Sequence, residues 1–375
     1  MIHMAHEPLH FRNQVIKYAV TRLGFTAVAI ESGFTEGNII DRYIQGGPGD
    51  IDTVLRVGFT SGFNRLPEER ELVAWMREYN TGATRKVRFY GLDVPGDVGP
   101  LYSGAPLTLT QTLEYLERVA PTEGAVLRRR LEPLLARFSG ARYRELSDTE
   151  RRELRSAVDQ LTADLRRTSV PRTGLAADEQ ARAVRTAWNA QQLLTSIALR
   201  TADGGEGSGN PRGRTWAAIR LRDSVMFENA RWALDREGRG GKLIVFAHNG
   251  HSMNVPMVFP AMGPPMVMMG QRLRAHYGKD VFVVGTATGT YEGLGTVAHD
   301  MSLFEVALAN VGLGNYAIDL RTGDSTPAVA AMLRSTWLTR IHAFMQPFVP
   351  RDVADVFVVF DKVTRSRLLD APPAR

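Results

Sequence analysis

The order of segments predicts an α/β protein: a largely parallel central sheet flanked by helices, with an all-helical cap inserted into it. Helix and strand patterns alternate before residue 105 and again after residue 211. From about Pro106 to about Arg200 the sequence shows helical periodicity and no strand pattern. A run of small and polar residues, 201–211, is typical of a flexible loop. We therefore expect an α/β catalytic core formed by 1–104 and 212–375, with a helical cap at 105–200.

The N-terminal part begins with a helix and then a strand. An apolar stripe predicts a helix over Phe11–Leu23, which Gly24 ends. Phe25–Ile30 is typical of a buried strand, and Glu31 follows it directly. The same reasoning predicts helices over Phe34–Tyr43 and Glu68–Tyr79, and a strand over Val87–Gly91 with Asp93 at its exit.

The cap and the C-terminal part complete the pattern. The cap is predicted to contain helices over Leu107–Val119, Glu123–Phe138, Thr149–Leu165 and Ala176–Arg200, the second kinked or broken near Pro133. The core then resumes with a helix over Arg220–Glu237 and strands over Gly241–Phe246, Val281–Val284, Tyr316–Ile318 and Val356–Phe360. Apart from Lys242, Gly241–Phe246 is an apolar run rich in β-branched residues, which predicts a fully buried strand.

Two histidines follow that strand in the segment Ala247-His248-Asn249-Gly250-His251. Loops that leave the carboxyl ends of parallel strands are where α/β enzymes place their reacting groups. Each imidazole can carry a proton or bind a metal near neutral pH. Taken alone, the segment suits a pair of ordinary polar loop residues equally well.

Composition narrows the class of protein. With 375 residues, 44% hydrophobic and 23% charged, the chain is typical of a soluble globular protein, and no apolar run reaches the length of a membrane helix. The net charge of +6 comes almost entirely from Arg, since only five residues are Lys. These Arg are spread over Glu-containing helices, which favours a solvated surface over nucleic-acid binding. The N-terminus lacks a signal-peptide pattern, so we expect a cytoplasmic protein.

Several common chemistries lack support. The chain has no Cys, no Gly-x-Ser-x-Gly elbow and no Walker loop. His6-Glu7-Pro8-Leu9-His10 matches a zinc-protease pattern, but that pattern requires a helix, and Pro8 argues against one. Gly293–Ala298 fits a dinucleotide fingerprint with Asp319 downstream, yet Thr286–Glu292 separates it from the predicted strand.

What remains is a set of polar groups at strand exits, together with the N-terminal histidines and Arg12. Histidine can take a proton from water, a carboxylate can orient that histidine, and Arg or a second histidine can stabilise an oxyanion. Alternatively, His248, His251 and one Glu would give a metal three ligands and an open position. The residues alone leave both readings open.

Taken together, these segments resemble the erythromycin esterase family. The segment from His3 to Asn13 resembles a shortened form of the family's opening motif, Gly-Glu-x-x-His-Gly followed by His-Glu and then Arg. Ala247–His251 is the most specific match and carries the family's paired active-site histidines. The other matching segments are 24–34 with Glu31, 69–80 with Trp75, 88–93, and the helix with Arg222, Asp223, Asn229 and Trp232.

The resemblance implies that water attacks the ester of a macrolactone or similar cyclic ester directly, the chemistry of macrolide resistance. It implies His3 as general base, Glu31 as the group that orients the histidines, and His248, His251 and Arg12 as oxyanion stabilisers. We assign Asp93 and Asn249 to substrate binding. We expect no metal or other cofactor, a small-molecule ester as substrate, and neither a nucleic acid nor a membrane as partner.

Two departures from the family pattern affect the site. The family's Gly-Glu pair should stand a few residues before His3, where only Met1-Ile2 are found. We therefore expect the first strand and one catalytic Glu to be missing from this sequence. Met4 also replaces the Gly that usually follows the histidine, and its side chain could narrow the site or shift His3.

Two further hypotheses remain. One is a metal-dependent hydrolase that uses His248, His251 and Glu31 as ligands. The other is a ligand-binding homologue that keeps the cleft but has lost the reaction together with the missing Glu.

Overall fold

The computed structural model describes residues 3–94, 105–139, 142–169, 174–201, 211–259, 263–292, 302–322, 326–341 and 344–369. The chain divides into two compact units. The first unit consists of residues 1–31, 62–88 and 230–375, and the second consists of 32–61 and 89–229. The predicted cap helices lie in the second unit, which also includes 32–61.

Helices and strands alternate through both ends of the chain. The helices are α1 (His6–Leu23), α2 (Phe34–Ile44), α3 (Ile51–Gly58), α4 (Pro67–Gly82), α5 (Ala105–Val119), α6 (Pro121–Leu135), α7 (Asp148–Arg167), α8 (Leu175–Thr201), α9 (Pro211–Glu237), α10 (Asn249–Ser252), α11 (Met269–Tyr277), α12 (Phe304–Ala309), α13 (Pro327–Arg334) and α14 (Pro350–Val353). The strands are β1 (Ala27–Gly33), β2 (Arg88–Asp93), β3 (Leu243–Phe246), β4 (Val284–Glu292), β5 (Tyr316–Asp319), β6 (Trp337–Ile341), β7 (Phe344–Phe348) and β8 (Val356–Thr364).

The strands form small parallel or mixed sheets, which confirms the predicted α/β class. One sheet has the order β2-β1-β3, with β1 and β3 parallel and Ala27 opposite Leu243. A second has the order β4-β8-β5, in which β4 is parallel and β5 antiparallel to β8. Strands β6 and β7 form a separate antiparallel pair. In the part of the chain described here, the predicted central sheet is thus two three-stranded sheets.

Strand β3 is less buried than its sequence predicts. All four of its residues, Leu243–Phe246, are half-buried, whereas every residue of β1 is buried. The reason is position: among the described strands, β1 lies between two neighbours, while β3 pairs with β1 alone. An apolar run cannot distinguish a central strand from an edge strand, and the prediction of full burial was wrong.

Helix α1 begins at His6, five residues before its predicted start. Pro8 lies in the first turn, where a missing N–H removes no helical hydrogen bond. Of the predicted stripe, Val15 and Leu23 are 40% and 48% exposed, and the buried face includes Arg12 and Asn13 instead. Asn13 Nδ2 donates to the carbonyl oxygen of Glu68 at 2.8 Å, so this polar side chain is buried with a partner.

Strand boundaries near the predicted site also differ. Glu31 lies inside β1, which continues to Gly33, and not after the strand as predicted. Strand β4 begins at Val284, where the predicted strand ends. Most of the predicted flexible loop, residues 202–210, lies outside the described residues. The sequence patterns did not predict α3, the short helices α10–α14 or the pair β6–β7.

The second unit is built on a leucine-rich helical core. Buried side chains from α5 to α8 form one cluster, which includes Leu113, Leu131, Leu161 and Leu193. Helix α7 begins with a capping box, in which Ser147 and Glu150 satisfy each other's backbone N–H groups. Helix α6 includes Pro133 and ends two residues after it, at Leu135, three residues before its predicted end.

A further hydrophobic core lies within the first unit. Its aromatic members Phe304, Phe348 and Phe357 meet edge to face, with Phe304 centred 5.2 Å from each of the other two rings. Among the described residues, no helix is both long enough and apolar enough to cross a membrane.

Candidate active site

The histidine loop forms the first part of the site. His248 precedes the short helix α10, and its ring Nδ1 accepts a hydrogen bond from the Gly250 backbone N–H at 2.9 Å. Because Nδ1 accepts this bond, a neutral His248 carries its ring proton on Nε2. The loop therefore presents an N–H donor, the kind of group that can bind a developing oxyanion.

Glu31, a residue of β1, fixes this loop. Its side chain is buried, and Oε2 accepts a hydrogen bond from the His248 backbone N–H at 2.8 Å. The other oxygen, Oε1, lies 3.5 Å from His251 Nε2. One carboxylate thus holds the backbone of the first histidine and faces the ring of the second. A protonated His251 would form a charge-assisted pair with it.

His3 joins the two loop histidines. Its ring is centred 6.3 Å from the ring of His248, with 22° between the planes, and 5.1 Å from the ring of Phe63. The rings of His248 and His251 are centred 6.2 Å apart and meet edge to face. The structure therefore brings together His3, Glu31, His248 and His251, four of the five predicted catalytic residues.

Arg12 lies on α1 and is held by other partners. Its Nη1 donates to Glu69 Oε1 at 2.6 Å, and Nε and Nη2 donate to Asn13 Oδ1. The guanidinium also lies over the ring of Phe246, 4.7 Å from its centroid, two residues before His248. Burial raises the pKa of Glu69 above its ordinary value of 4.5, an effect that the charge of Arg12 opposes.

The two predicted substrate-binding residues have protein partners. Asp93 lies in the second unit, fully buried, where Arg222 donates to it through Nε at 2.9 Å and Nη2 at 2.6 Å. Asn249 Nδ2 donates to the Thr286 carbonyl oxygen at 2.7 Å, and its Oδ1 accepts from Thr286 N at 3.3 Å. Asp93 thus neutralises a cation, and Asn249 ties the histidine loop to β4. Substrate contact by either residue stays a prediction.

Met4, flagged as a departure from the family pattern, is accommodated by a glycine. A Cβ added to Gly62 would lie 2.8 Å from Met4 Cε, so the methionine fills the space that a larger residue there would take. Gly62 has φ +83°, a conformation that disfavours side chains. Met4 thus packs against the Gly62 turn, which precedes Phe63, the ring beside His3.

Sequence reasoning missed the groups that support the site. Glu68 and Glu69 lie in the first turn of α4 and are buried, at 3% and 0% exposure. Two acidic residues at a helix N-terminus are ordinarily solvated charges that suit the helix dipole, so nothing marks them as buried. Ser366 and Phe63 carry no sequence signal either.

Helix α1 carries the zinc-protease pattern in its first turns. His6 and His10 do share a helix face, with ring centroids 5.8 Å apart, so the argument that no helix carries them was wrong. Among the described residues, however, no three His, Cys, Asp or Glu side chains are grouped so that they could hold a metal ion. Instead, Glu68 Oε1 lies 2.6 Å from His6 Nδ1.

The sequence argues against the dinucleotide fingerprint because Thr286–Glu292 separates Gly293–Ala298 from the predicted strand. Strand β4 in fact continues through Thr286 to Glu292, so that reason was wrong. The glycine segment itself, within 293–300, lies outside the described residues. A different observation now argues against the motif: β4 is parallel and β5 antiparallel to β8, whereas the fingerprint belongs to a unit of two parallel strands.

Comparison with known proteins gives a consistent family. The family profile described as Erythromycin esterase matches residues 20–363, which include Glu31 and both loop histidines but not His3 or Arg12. "Erythromycin esterase type II" from Escherichia coli is 25% identical over 293 residues, covering 76% of this chain and 66% of that protein. The chain therefore matches just under two thirds of that relative's length.

Three solved structures share the fold. A succinoglycan biosynthesis protein has a TM-score of 0.75 at 19% identity, with 98% of this chain and 87% of that chain covered. A Bacillus cereus protein has a TM-score of 0.76 at 21% identity, with coverage of 98% and 88%. An erythromycin esterase variant in its open conformation has a TM-score of 0.68 at 17% identity, with coverage of 99% and 91%. Because the family profile matches residues 20–363, which is most of this chain, the chain belongs to the erythromycin esterase family.

Proposed function

We propose that this protein is a carboxylic ester hydrolase that uses no metal and directs an activated water at the ester of a macrolactone or similar cyclic ester. The observation that carries the proposal is the arrangement around Glu31. One buried carboxylate holds the His248 backbone and faces the His251 ring, and the His3 ring lies beside His248. Membership of the erythromycin esterase family supports hydrolysis as the reaction class.

In the first step, His3 accepts a proton from a water molecule as the water oxygen attacks the ester carbonyl carbon. The C–O π bond opens, and the carbonyl oxygen becomes an oxyanion. His248 Nε2–H, whose proton position follows from the bond that Nδ1 accepts from Gly250, donates to this oxygen. His251, facing Glu31, adds positive charge when it is protonated.

In the second step, the tetrahedral intermediate collapses. The carbonyl re-forms, the bond to the alcohol oxygen breaks, and the proton held by His3 passes to the departing oxygen. The products are an alcohol and a carboxylic acid on one opened ring, and the acid then gives its proton to solvent at neutral pH. Glu31 contributes by keeping two imidazoles in fixed orientations, so little reorganisation is needed as charge develops. Arg12 has a supporting role, because the bonds of its guanidinium go to Glu69 and Asn13.

The substrate class is taken from the family. The relative from Escherichia coli is named an erythromycin esterase, and one solved structure is an erythromycin esterase variant. A cyclic ester suits a site that needs only to position water and polarise one carbonyl. Asp93 and Asn249 are the residues we assign to substrate contact.

The test is to incubate the protein with a fourteen-membered macrolactone and follow the substrate by mass spectrometry. We expect a product heavier by one water, formed at an unchanged rate after exhaustive dialysis against a chelator. His3→Gln should abolish turnover, because glutamine cannot accept the proton. His276→Gln, which alters a histidine on α11, is the matched control and should retain it.

A folded protein that binds the lactone and leaves its mass unchanged would contradict the proposal and favour a ligand-binding role. Loss of turnover on dialysis, with recovery on adding zinc or manganese, would contradict the metal-independent mechanism.

A further inference from the structure

We propose that the C-terminal segment Thr364–Leu369 is a positioning element for His3, with Ser366 as its central residue. The catalytic meaning of this inference rests on the proposed function, in which His3 is the general base. The physical claim, that this segment fixes the turn carrying His3, stands on contacts within the first unit alone.

The segment is bonded directly to the turn. The Ser366 backbone N–H donates to the Met4 carbonyl oxygen at 2.7 Å, one residue after His3. Ala5 and Arg365 form an antiparallel β-bridge at the same place. Two residues of the N-terminal turn are therefore paired with two residues near the end of the chain, as in a short two-stranded ladder.

A second set of bonds fixes the segment to α1. Glu7 Oε2 accepts from the Thr364 backbone N–H at 2.7 Å, and Glu7 Oε1 accepts from the Thr364 hydroxyl at 2.8 Å. Glu7 lies in the first turn of α1, four residues after His3. Contacts thus hold the chain on both sides of the bridge.

A third set connects the segment to the core. Ser366 is 3% exposed, and its hydroxyl donates to Glu68 Oε2 at 2.6 Å. Glu68 Oε1 lies 2.6 Å from His6 Nδ1, so this buried carboxylate joins the segment, α4 and α1. The Leu369 N–H donates to the Arg65 carbonyl oxygen at 2.9 Å and anchors the far end.

These contacts explain how His3 can be placed on a turn rather than on a strand. His3 and Met4 form a turn ahead of α1. A turn by itself does not fix the position of a side chain. The family profile matches 20–363 and so includes neither this turn nor Thr364–Leu369. A misplacement of about 1 Å at a reacting group can cost a hundredfold in rate, so such a support matters to catalysis.

The test measures His3 directly. Ser366→Pro removes the N–H that donates to Met4, and Ser366→Ala removes only the hydroxyl bond to Glu68. Leu369→Pro is the matched control, because it removes a backbone bond of the same segment that does not reach the turn. With isotope-labelled histidine, assigned through His3→Gln, NMR reports the His3 ring, and His276 serves as the internal reference.

We expect Ser366→Pro to broaden or shift the His3 resonance and to leave His276 unchanged, with Ser366→Ala giving a smaller change in the same direction. On an ester substrate, kcat should fall about tenfold or more with a smaller change in KM. Leu369→Pro should leave both the His3 resonance and kcat near the parent values.

A covalent rescue separates positioning from general stability. The chain has no cysteine, so Ala5→Cys with Arg365→Cys gives one defined disulfide between bridge partners whose spacing suits it. In the Ser366→Pro background, oxidation should restore the His3 resonance and kcat, and reduction should remove both gains. Thermal stability is measured alongside.

An unchanged His3 resonance in Ser366→Pro would overturn the inference, as would a disulfide that restores the melting temperature without restoring His3. The NMR readout needs no turnover, so a parent protein that hydrolyses no ester would defeat the proposed function and still allow this inference to be judged. Turnover by Ser366→Pro at the parent rate would overturn this inference and leave the proposed function intact.

Discussion

Glu31 contacts both histidines of one loop with the two oxygens of one carboxylate. Glu31→Gln keeps an acceptor for the His248 backbone N–H but removes the negative charge facing His251. We expect kcat/KM for ester hydrolysis to fall about a hundredfold or more, the scale of one positioned acid–base group. Stability should change little, because the buried hydrogen bond remains.

Glu305→Gln is the matched control for this variant. Glu305 Oε1 likewise accepts a backbone N–H, from Arg340 at 2.8 Å, but it faces no imidazole of the site. Glu305→Gln should hydrolyse the ester with the kcat/KM of the parent. Equal losses in the two variants would assign Glu31 a purely structural role.

The ion pair between Arg12 and Glu69 is nearly inaccessible, with side-chain exposures of 4% and 0%. Removing one partner leaves a buried charge unpaired, so Glu69→Ala should cost about 3–5 kcal/mol in the free energy of unfolding measured with urea. Replacing both residues, as Arg12→Met with Glu69→Leu, should cost clearly less.

The same two helices provide a contrasting pair. Lys17 Nζ and Glu71 Oε1 also join α1 to α4, but their side chains are 26% and 39% exposed. Glu71→Ala should therefore cost at most about 1 kcal/mol. Similar costs at the two sites would mean that burial does not set the strength of these pairs.

Glu69 also makes stability depend on pH. Its folded pKa is raised above 4.5 by burial, so the folded state holds this proton to higher pH than the unfolded state does. Stability must then fall as pH rises from 4.5 through the raised pKa. We expect the unfolding free energy of the parent, relative to Glu69→Gln, to decrease over that interval in urea titrations. An increase would mean that Arg12 outweighs burial.

The sequence reveals only those site residues that a local pattern marks. His248 and His251 are visible because two imidazoles near a strand end are unusual, and Glu31 because a carboxylate beside an apolar run is costly. Glu68, Glu69 and Ser366 are buried by contacts between distant parts of the chain, which no local pattern encodes. Met4 and Gly62 form a pair that only the folded chain brings together.

At the scale of elements, the close approach of α2 to β2 is fixed by glycine. A Cβ on Gly37 of α2 would overlap the backbone nitrogen of Gly91 in β2, whereas Gly82 at the end of α4 has nothing within 4 Å. The same substitution should therefore act with opposite sign at the two places. Gly37→Ala should destabilise by about 1–3 kcal/mol through overpacking, and Gly82→Ala should stabilise by about 0.5–1 kcal/mol.

Urea unfolding of both variants measures these changes against the parent. Because Gly37 packs on the strand that ends at Asp93, the first variant should also shift the environment of the Asp93–Arg222 pair. A neutral Gly37→Ala would mean that α2 can move away from β2 without loss.

Element predictions succeeded where periodicity is long and failed where it is short. The long helices α5, α7 and α8 were found nearly at their observed limits, since about twenty residues of amphipathic pattern leave little ambiguity. The four-residue helices α10 and α14 are set by tertiary contacts and leave no periodic trace. Strand ends at Gly33 and Glu292 were missed because polar and small residues there are paired through backbone bonds, independently of their side chains.

At the scale of the whole molecule, the chain divides into two compact units, and the leucine-rich helical core lies in the second. The first unit holds every candidate catalytic residue: His3, Arg12, Glu31, His248 and His251. The second holds Asp93 and the leucine-rich helices. A substitution in the helical core should therefore change the stability of the protein without changing the catalytic site. Leu161→Ala in the helical core should lower stability by about 2–5 kcal/mol while the rings of His3 and His248 keep their NMR signatures.

The half-buried strand β3 has a consequence for behaviour at high concentration. Within the described residues β3 pairs on one side only, and an edge strand of the sequence Leu-Ile-Val-Phe can template pairing with another chain and so nucleate aggregation. Leu243→Lys places a gatekeeping charge on that edge and should slow the growth of light scattering on prolonged warming. Leu175→Lys, at a residue that is 75% exposed on a helix, makes the same chemical change away from any edge and should slow it less. The strand that leads into the histidine loop is thus also an edge at which copies of this protein can polymerise.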